Sequence, residues 1–212
     1  MGSSETEGGP AYFPASASGQ AIALTGFGFA LGMLSMINAE WVTLGAIGFM
    51  VAVTFSIGSV ALIVGGLWDF RANNLFGATW AIAFGAFWIS VGLILQFVGG
   101  GVVEAAGPEG FADAFGAYLL LWAGFTAFMA VASWFVARAA FAIFAVLVVV
   151  FVLLGIANTS APGSLSDTLR EIGGYVGLLD AALAWYLAAA LVINVTADRQ
   201  ILPIWPYPYG DR

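Results

Sequence analysis

Six long apolar stretches follow one another along the chain, at about residues 20–38, 42–69, 76–99, 114–136, 139–158 and 172–196, with short polar breaks between them. Each approaches or exceeds the ~20 residues that carry an α-helix across a bilayer, so the pattern predicts an all-α, polytopic membrane protein built as a six-transmembrane-helix bundle. The break in "WFVARAAF" around Arg138 is the least marked. A tight turn is placed there because one uninterrupted run would be far too long for a single span. The last helix ends at "DRQILPIWPYPYGDR", since Pro203, Pro206 and Pro208 cannot continue it. Residues 1–19, rich in Gly, Ser, Pro and Ala, have no basic region followed by an apolar core and so do not read as a signal peptide. The expected organisation is a flexible tail over 1–19, a six-helix membrane domain over 20–198 and a Pro-rich tail over 199–212.

Composition sharpens this reading. Of 212 residues, 62% are hydrophobic and 8% charged, where a soluble domain carries about a quarter charged. Such a chain cannot cover its surface with polar groups and must face lipid. The net charge is −7, with five Arg, no Lys and twelve acidic residues, which argues against nucleic acid as a partner. The absences exclude whole classes of chemistry. With no Cys and no His there are no disulfides, thiol chemistry, Cys–His or Ser–His–Asp catalysis, or ordinary haem, zinc or copper sites. With no Lys, a retinal Schiff base is impossible. No paired catalytic residues stand out, so the chain does not read as an enzyme, and no cofactor or metal is expected.

Six spans place Arg71, Arg138, Arg199 and Arg212 on one side and Arg170 on the other. The excess of Arg marks the cytoplasmic side, which puts both termini in the cytoplasm and the protein in the cytoplasmic membrane. The opposite loops hold Glu40, Glu104, Glu109, Asp113, Asp167 and Glu171. Small residues spaced by four (Gly28 and Gly32, Ala61 and Gly65, Ala81 and Gly85, Gly173 and Gly177) allow close helix approach. The odd-numbered helices end on amides, in "SMIN" at Asn38, "LILQF" at Gln96 and "GIAN" at Asn158, which suggests three hairpins around a narrow path.

Few residues offer chemistry within the spans. Ionisable groups there are functional candidates by default, and Asp180 in "GGYVGLLDAALAWYLAAA" is the clearest. It reads as a proton-binding carboxylate, or as a hydrogen-bonded Asp at a helix or subunit contact. Asp69 and Arg71, in "GGLWDFRANNLFGATW", read as an interfacial pair in a turn. No Arg falls within a span, so an anion on this path would meet neutral donors, among which Asn38, Asn74, Thr79 and Asn158 lie near span ends. Such donors release a passing anion more readily than a fixed cation would. Trp41, Trp68, Trp122, Trp134, Trp205 and Tyr207 read as interfacial anchors. Phe27 in "TGFGF" and Phe84 in "AFGAF" lie deeper, where an aromatic flanked by glycine could close a pore or simply fill the core.

Taken together, "GGLWDFRANNLFGATWAIAFGAFWIS" at 65–90, "YLLLWAGFTAFM" at 118–129, "LLGIAN" at 153–158, "IGGYVGLLDAALAWYLA" at 172–188 and "DRQILPIWP" at 198–206 resemble the acetate uptake transporter family, which includes the succinate–acetate permeases. The resemblance runs in order from about residue 24 to the C-terminal segment. It implies a six-helix protomer with its own path, assembled as a homohexamer, moving acetate or related small carboxylates either with protons or as a channel. It also implies a constriction of three hydrophobic residues on helices one, three and five, which falls on Phe27, Phe84 and Leu147. This chain departs from the family pattern in several places. The usual Asn-Pro-Ala-Pro start is replaced by "YFPASASGQAIAL", a Thr pair by Ala30–Leu31, the run Gly-Asn-Thr-Phe-Gly by residues 73–77, a Gln by Leu62 and the constriction Tyr by Phe84. Asp180 falls where an uncharged residue is usual. These losses of hydrogen-bonding groups keep two alternatives in view. One is a channel of the same fold for another small anion or a neutral solute; the other is a non-transporting sensor or scaffold.

Overall fold

The structure, a computed structural model, describes residues 19–43, 46–98 and 107–208. The N-terminal tail over 1–18, the stretch carrying Glu104, and Arg212 lie outside the described residues. Among the described residues, six helices are long and apolar enough to cross a membrane. They are α1 (Gln20–Asn38), α2, α3 (Leu75–Val98), α4 (Pro108–Trp134), α5 (Arg138–Thr159) and α6 (Ser164–Thr196). Helix α2 consists of two α-helical segments, Ile47–Val53 and Ser59–Arg71, joined by a π-helical turn at Thr54–Gly58. In that turn the Ser59 hydroxyl donates to the Thr54 carbonyl at 2.5 Å, taking up backbone acceptor capacity that the wider coil alters.

Two helices start earlier than hydropathy indicates. Helix α4 begins at Pro108, where a missing N–H and a preset φ suit the first turn, and α6 begins at Ser164 directly after Gly163. Both first turns are polar, so a search for apolar residues sees only the membrane-crossing part of each helix.

Packing follows chain order around a ring: α1 lies against α2 and α6, α2 against α3, α4 against α5, and α5 against α6. The small residues account for the tight pairs. A side chain at Gly28 would collide with Trp185 of α6, and one at Gly177 with Ser35 of α1. Helices α3 and α4 meet instead mainly through side chains. Phe87 lies 6.1 Å from Tyr118 and 5.0 Å from Trp122 between ring centres, and the Ser90 and Tyr118 hydroxyls are 2.5 Å apart.

The α4–α5 turn is held by the chain's own C-terminal segment. Ala137 is extended, the Arg138 N–H donates to the Trp205 carbonyl at 2.8 Å, and the Tyr207 N–H donates to the Val136 carbonyl at 3.1 Å. The Arg138 guanidinium lies 3.3 Å from the centre of the Trp134 ring. The Pro-rich residues thus dock beneath the bundle instead of hanging free, which is the physical reason that so weak a sequence break makes a definite turn.

Candidate functional site

A cavity of about 630 Å³ occupies one end of the bundle. Phe27, Leu147 and Phe151 line it, and its walls are overwhelmingly apolar, including Leu31 and Val150. The polar exceptions are few: Asn38, Thr43, Asn158, Glu40 and Arg170. Asn38 and Asn158 close the ends of α1 and α5, so the amides that end two odd helices meet in one cavity. Gln96, at the end of α3, is exposed and is not among the lining residues. Asn158 donates to the Leu154 carbonyl at 2.7 Å, which leaves its side-chain oxygen free of that bond.

One donor in this wall escaped the sequence reading. Trp88 lines the cavity with 1% of its surface exposed, and its indole N–H is buried with no hydrogen-bond partner among the described residues. Its mid-span position separates this Trp from interfacial ones, but the sequence does not show that it faces the cavity, because that depends on which way the helix turns it.

Below the cavity the interior of the bundle is filled by aromatic rings. Phe84, fully buried, has Phe27 at 5.7 Å, Trp122 at 5.3 Å, Phe125 at 5.7 Å and Phe151 at 6.2 Å between ring centres. Phe27 also meets Trp80 edge-on at 6.4 Å, and Trp80 meets Phe144 at 5.9 Å. Phe27 and Leu147 are 3% and 2% exposed. Trp122 belongs to this cluster instead of anchoring an interface, since α4 reaches far enough at both ends to place it mid-helix.

On the far side of the rings lies a second cavity of only about 20 Å³, lined by Gln20, Leu24, Asn74, Phe76, Trp80 and Phe144 among others. Beside it is a buried polar network centred on Asp69. This carboxylate is 1% exposed. It accepts from the Gly19 N–H at 3.0 Å, from the Gln20 side-chain amide, and from Asn74 Nδ2 at 3.2 Å. The expected Asp69–Arg71 pair does not form. Arg71 is exposed, and among the described residues the one ion pair joins Arg170 to Asp167 at 3.9 Å. The reason is helix phase: two positions apart on a helix, the two side chains point to different faces.

The remaining predicted residues fall elsewhere. Thr79 is exposed on the outside of α3, its hydroxyl donating to the Leu75 carbonyl at 2.7 Å, and it lines neither cavity. Asp180 is fully buried within the protomer, and among the described residues neither carboxylate oxygen has a hydrogen-bond partner. It is also absent from the lining of both cavities. Its helix packs on α1 through Gly177 and on α5 through Gly173.

Comparison with known proteins agrees with this architecture. The succinate-acetate/proton symporter SatP of Escherichia coli K12 is 33% identical over 183 residues, 86% of this chain and 92% of that protein. Acetate permease A of Emericella nidulans is 30% identical over 196 residues, covering 89% of this chain and 66% of the permease. Ammonia transport outward protein 2 of Saccharomyces cerevisiae is 32% identical over 191 residues, 89% of this chain and 64% of that protein. The solved structure of the bacterial acetate channel SatP matches with a TM-score of 0.79 at 31% identity, covering 89% of this chain and 98% of that one. The model of the GPR1/FUN34/yaaH family matches residues 4–208, and the chain, a multi-pass membrane protein, belongs to that family.

Proposed function

We propose that the protein carries acetate and related small monocarboxylates across the cytoplasmic membrane, with the solute crossing the ring barrier as the neutral acid. The observation that carries this reading is the pair of cavities on either side of a closed aromatic layer, in a chain similar over most of its length to a succinate-acetate/proton symporter and an acetate channel. Phe27, Phe84 and Leu147 form the constriction. Asn38, Asn158 and Trp88 meet the solute in the larger cavity, and Asn74 meets it in the smaller. Thr79 has no part in the path. Burying a carboxylate among rings without donors is costly, whereas a protonated acid loses little on entering, so the movement is proton-linked, with Asp180 the carboxyl that exchanges the proton.

The smaller cavity faces the cytoplasm in this reading. Arg71, Arg138 and the C-terminal segment lie at that end, while Arg170 lines the larger cavity, which fits the positive-inside pattern. The assembly is a homohexamer, a proposal resting on the family resemblance and open to native mass measurement.

The test is uptake of labelled acetate by liposomes holding the purified protein, with and without an inward proton gradient. Saturable uptake that rises with the gradient and is competed by other short carboxylates supports the reading. Absence of uptake by intact, oriented protein overturns it. A neutral solute is the second reading, favoured by the polar groups missing from the barrier and by the yeast relative named for ammonia transport. Uptake of a neutral solute, with no competition by acetate, distinguishes it.

A further inference from the structure

The path is closed twice, and the second closure is latched. We infer that Trp80 is an inner gate, held shut through Gln20 by the buried carboxylate of Asp69. This deepens the transport reading, since it takes the two cavities to be ends of one path.

Trp80 is 3% exposed and lines the smaller cavity, with its ring edge-on to both Phe27 and Phe144. Moving the solute between the constriction and the Arg71 end, through the small cavity that Trp80, Gln20 and Leu24 line, requires this ring to shift. Its indole nitrogen, however, donates to the Gln20 side-chain oxygen at 2.9 Å. An indole N–H can only donate, so this bond fixes which end of the Gln20 amide faces Trp80 and turns the NH₂ group onto Asp69. Asn74 is fixed in the same manner: the Gly77 N–H donates to its side-chain oxygen at 3.0 Å, which turns its NH₂ onto Asp69 at 3.2 Å. Two donor-only groups therefore set the direction of both amides, and both chains end on the one acceptor. Flipping either amide would set donor against donor.

The network joins the start of α1, the end of α2 and the start of α3. Gly77 is part of the design, because a Cβ there would run into Asp69, Asn74 and Gln20. A carboxylate solute reaching this cavity brings an oxygen that can accept the Trp80 N–H in place of Gln20. The ring can then be released without a donor being stranded, which couples opening to the presence of the solute.

The chain has no Cys, so one introduced thiol reports on accessibility without a background. Leu24 lines the smaller cavity and Leu31 the larger. In Leu24→Cys protein, labelling by a membrane-impermeant thiol reagent from the Arg71 side should speed up when Trp80→Phe or Asp69→Asn is added. Roughly three- to tenfold is the scale of one lost hydrogen bond. The double variant should label no faster than the faster single one, because both changes open the same latch. Labelling of Leu31→Cys from the opposite side should not change. Unchanged Leu24→Cys rates, effects that multiply, or equal acceleration at both positions would overturn the latch. Trp80→Phe keeps an aromatic ring and leaves Asp69 its three donors, so it serves if Asp69→Asn does not assemble. The readout needs no solute, so failure to carry acetate would overturn the transport reading while leaving the latch to stand or fall separately.

Discussion

Truncating Phe27 is the sharpest perturbation of the barrier, because its ring separates open space from packed rings. It lines the 630 Å³ cavity and touches Phe84 and Trp80 edge-on, at 5.7 and 6.4 Å between ring centres. Each such pair is worth about 0.5–1.5 kcal/mol beyond area burial, so Phe27→Ala removes ~1–3 kcal/mol of the contact that keeps the layer closed. A shift of that size in a closed–open equilibrium is about 5- to 150-fold, and initial acetate uptake into liposomes should rise within that range while discrimination against larger solutes falls. Phe84→Ala is a poorer choice. Its ring lies among six aromatic neighbours, and a core truncation of this kind costs about 3–5 kcal/mol of stability, confusing gating with unfolding. Phe27→Leu, which keeps an apolar plug but loses the ring contacts, should fall between parent and Ala. Uptake by folded, monodisperse Phe27→Ala protein that is indistinguishable from the parent would refute the assignment of the layer as the barrier.

Three further outcomes follow from other parts of the molecule. Trp88→Phe removes an unpartnered buried donor from the larger cavity. A hydrogen bond to a charged group contributes ~1.5–3 kcal/mol, so the half-saturating acetate concentration should rise roughly tenfold or more, with less change in maximal rate. Asp180→Asn keeps the shape of a carboxyl that has no hydrogen-bond partner but cannot exchange its proton. Gradient-driven stimulation of uptake should weaken without vanishing, because entry of the neutral acid depends on protons by itself, and full stimulation in this variant would remove Asp180 from the coupling. Arg138→Ala loses the cation over Trp134, about 0.5–1 kcal/mol. For a chain of this length that lowers the thermal midpoint by ~1–4 °C, measured in detergent, with the backbone bonds to Trp205 and Tyr207 intact.

The spans were legible because a bilayer makes length and apolarity nearly sufficient criteria for a helix. Polar first turns such as 108–113 and 164–171 were not, since the helix continues into water where the apolar criterion no longer applies. The facing of side chains was harder still. In a soluble helix a polar stripe marks the outside, but here lipid surrounds the bundle and rings fill it, so both faces of α3 look alike. Hence Thr79, read as a path residue, points outward, whereas Trp88 on the same helix points inward and Trp122 joins the core. Asp69 shows the other limit. Its partners Gly19 and Gln20 lie 50 and 49 residues away in the chain, and of its near neighbours it is Asn74, not the oppositely charged Arg71, that reaches it.

The polar groups that remain are segregated, and this bears on coupling. Asn38, Asn158 and Trp88 stand at one cavity, and Gln20, Asn74 and Asp69 at or beside the other. Aromatic rings fill the interval between them, and the same apolar core holds Ala30, Leu62 and Phe84, each fully buried and each at a position where a hydrogen-bonding residue is usual in the family resemblance. A carboxylate crossing that interval would give up its hydration without replacement, at a cost of several kcal/mol. Hydrogen bonds at the two ends cannot repay it, because they are made before and after the crossing and not during it. The neutral acid avoids most of that cost, so in the proposed transport a dependence on protons would arise from the barrier as a whole, without a relay through it. A carboxyl such as Asp180, behind the cavity walls, would then set how readily a proton is supplied, while the rings decide which form of the solute can pass.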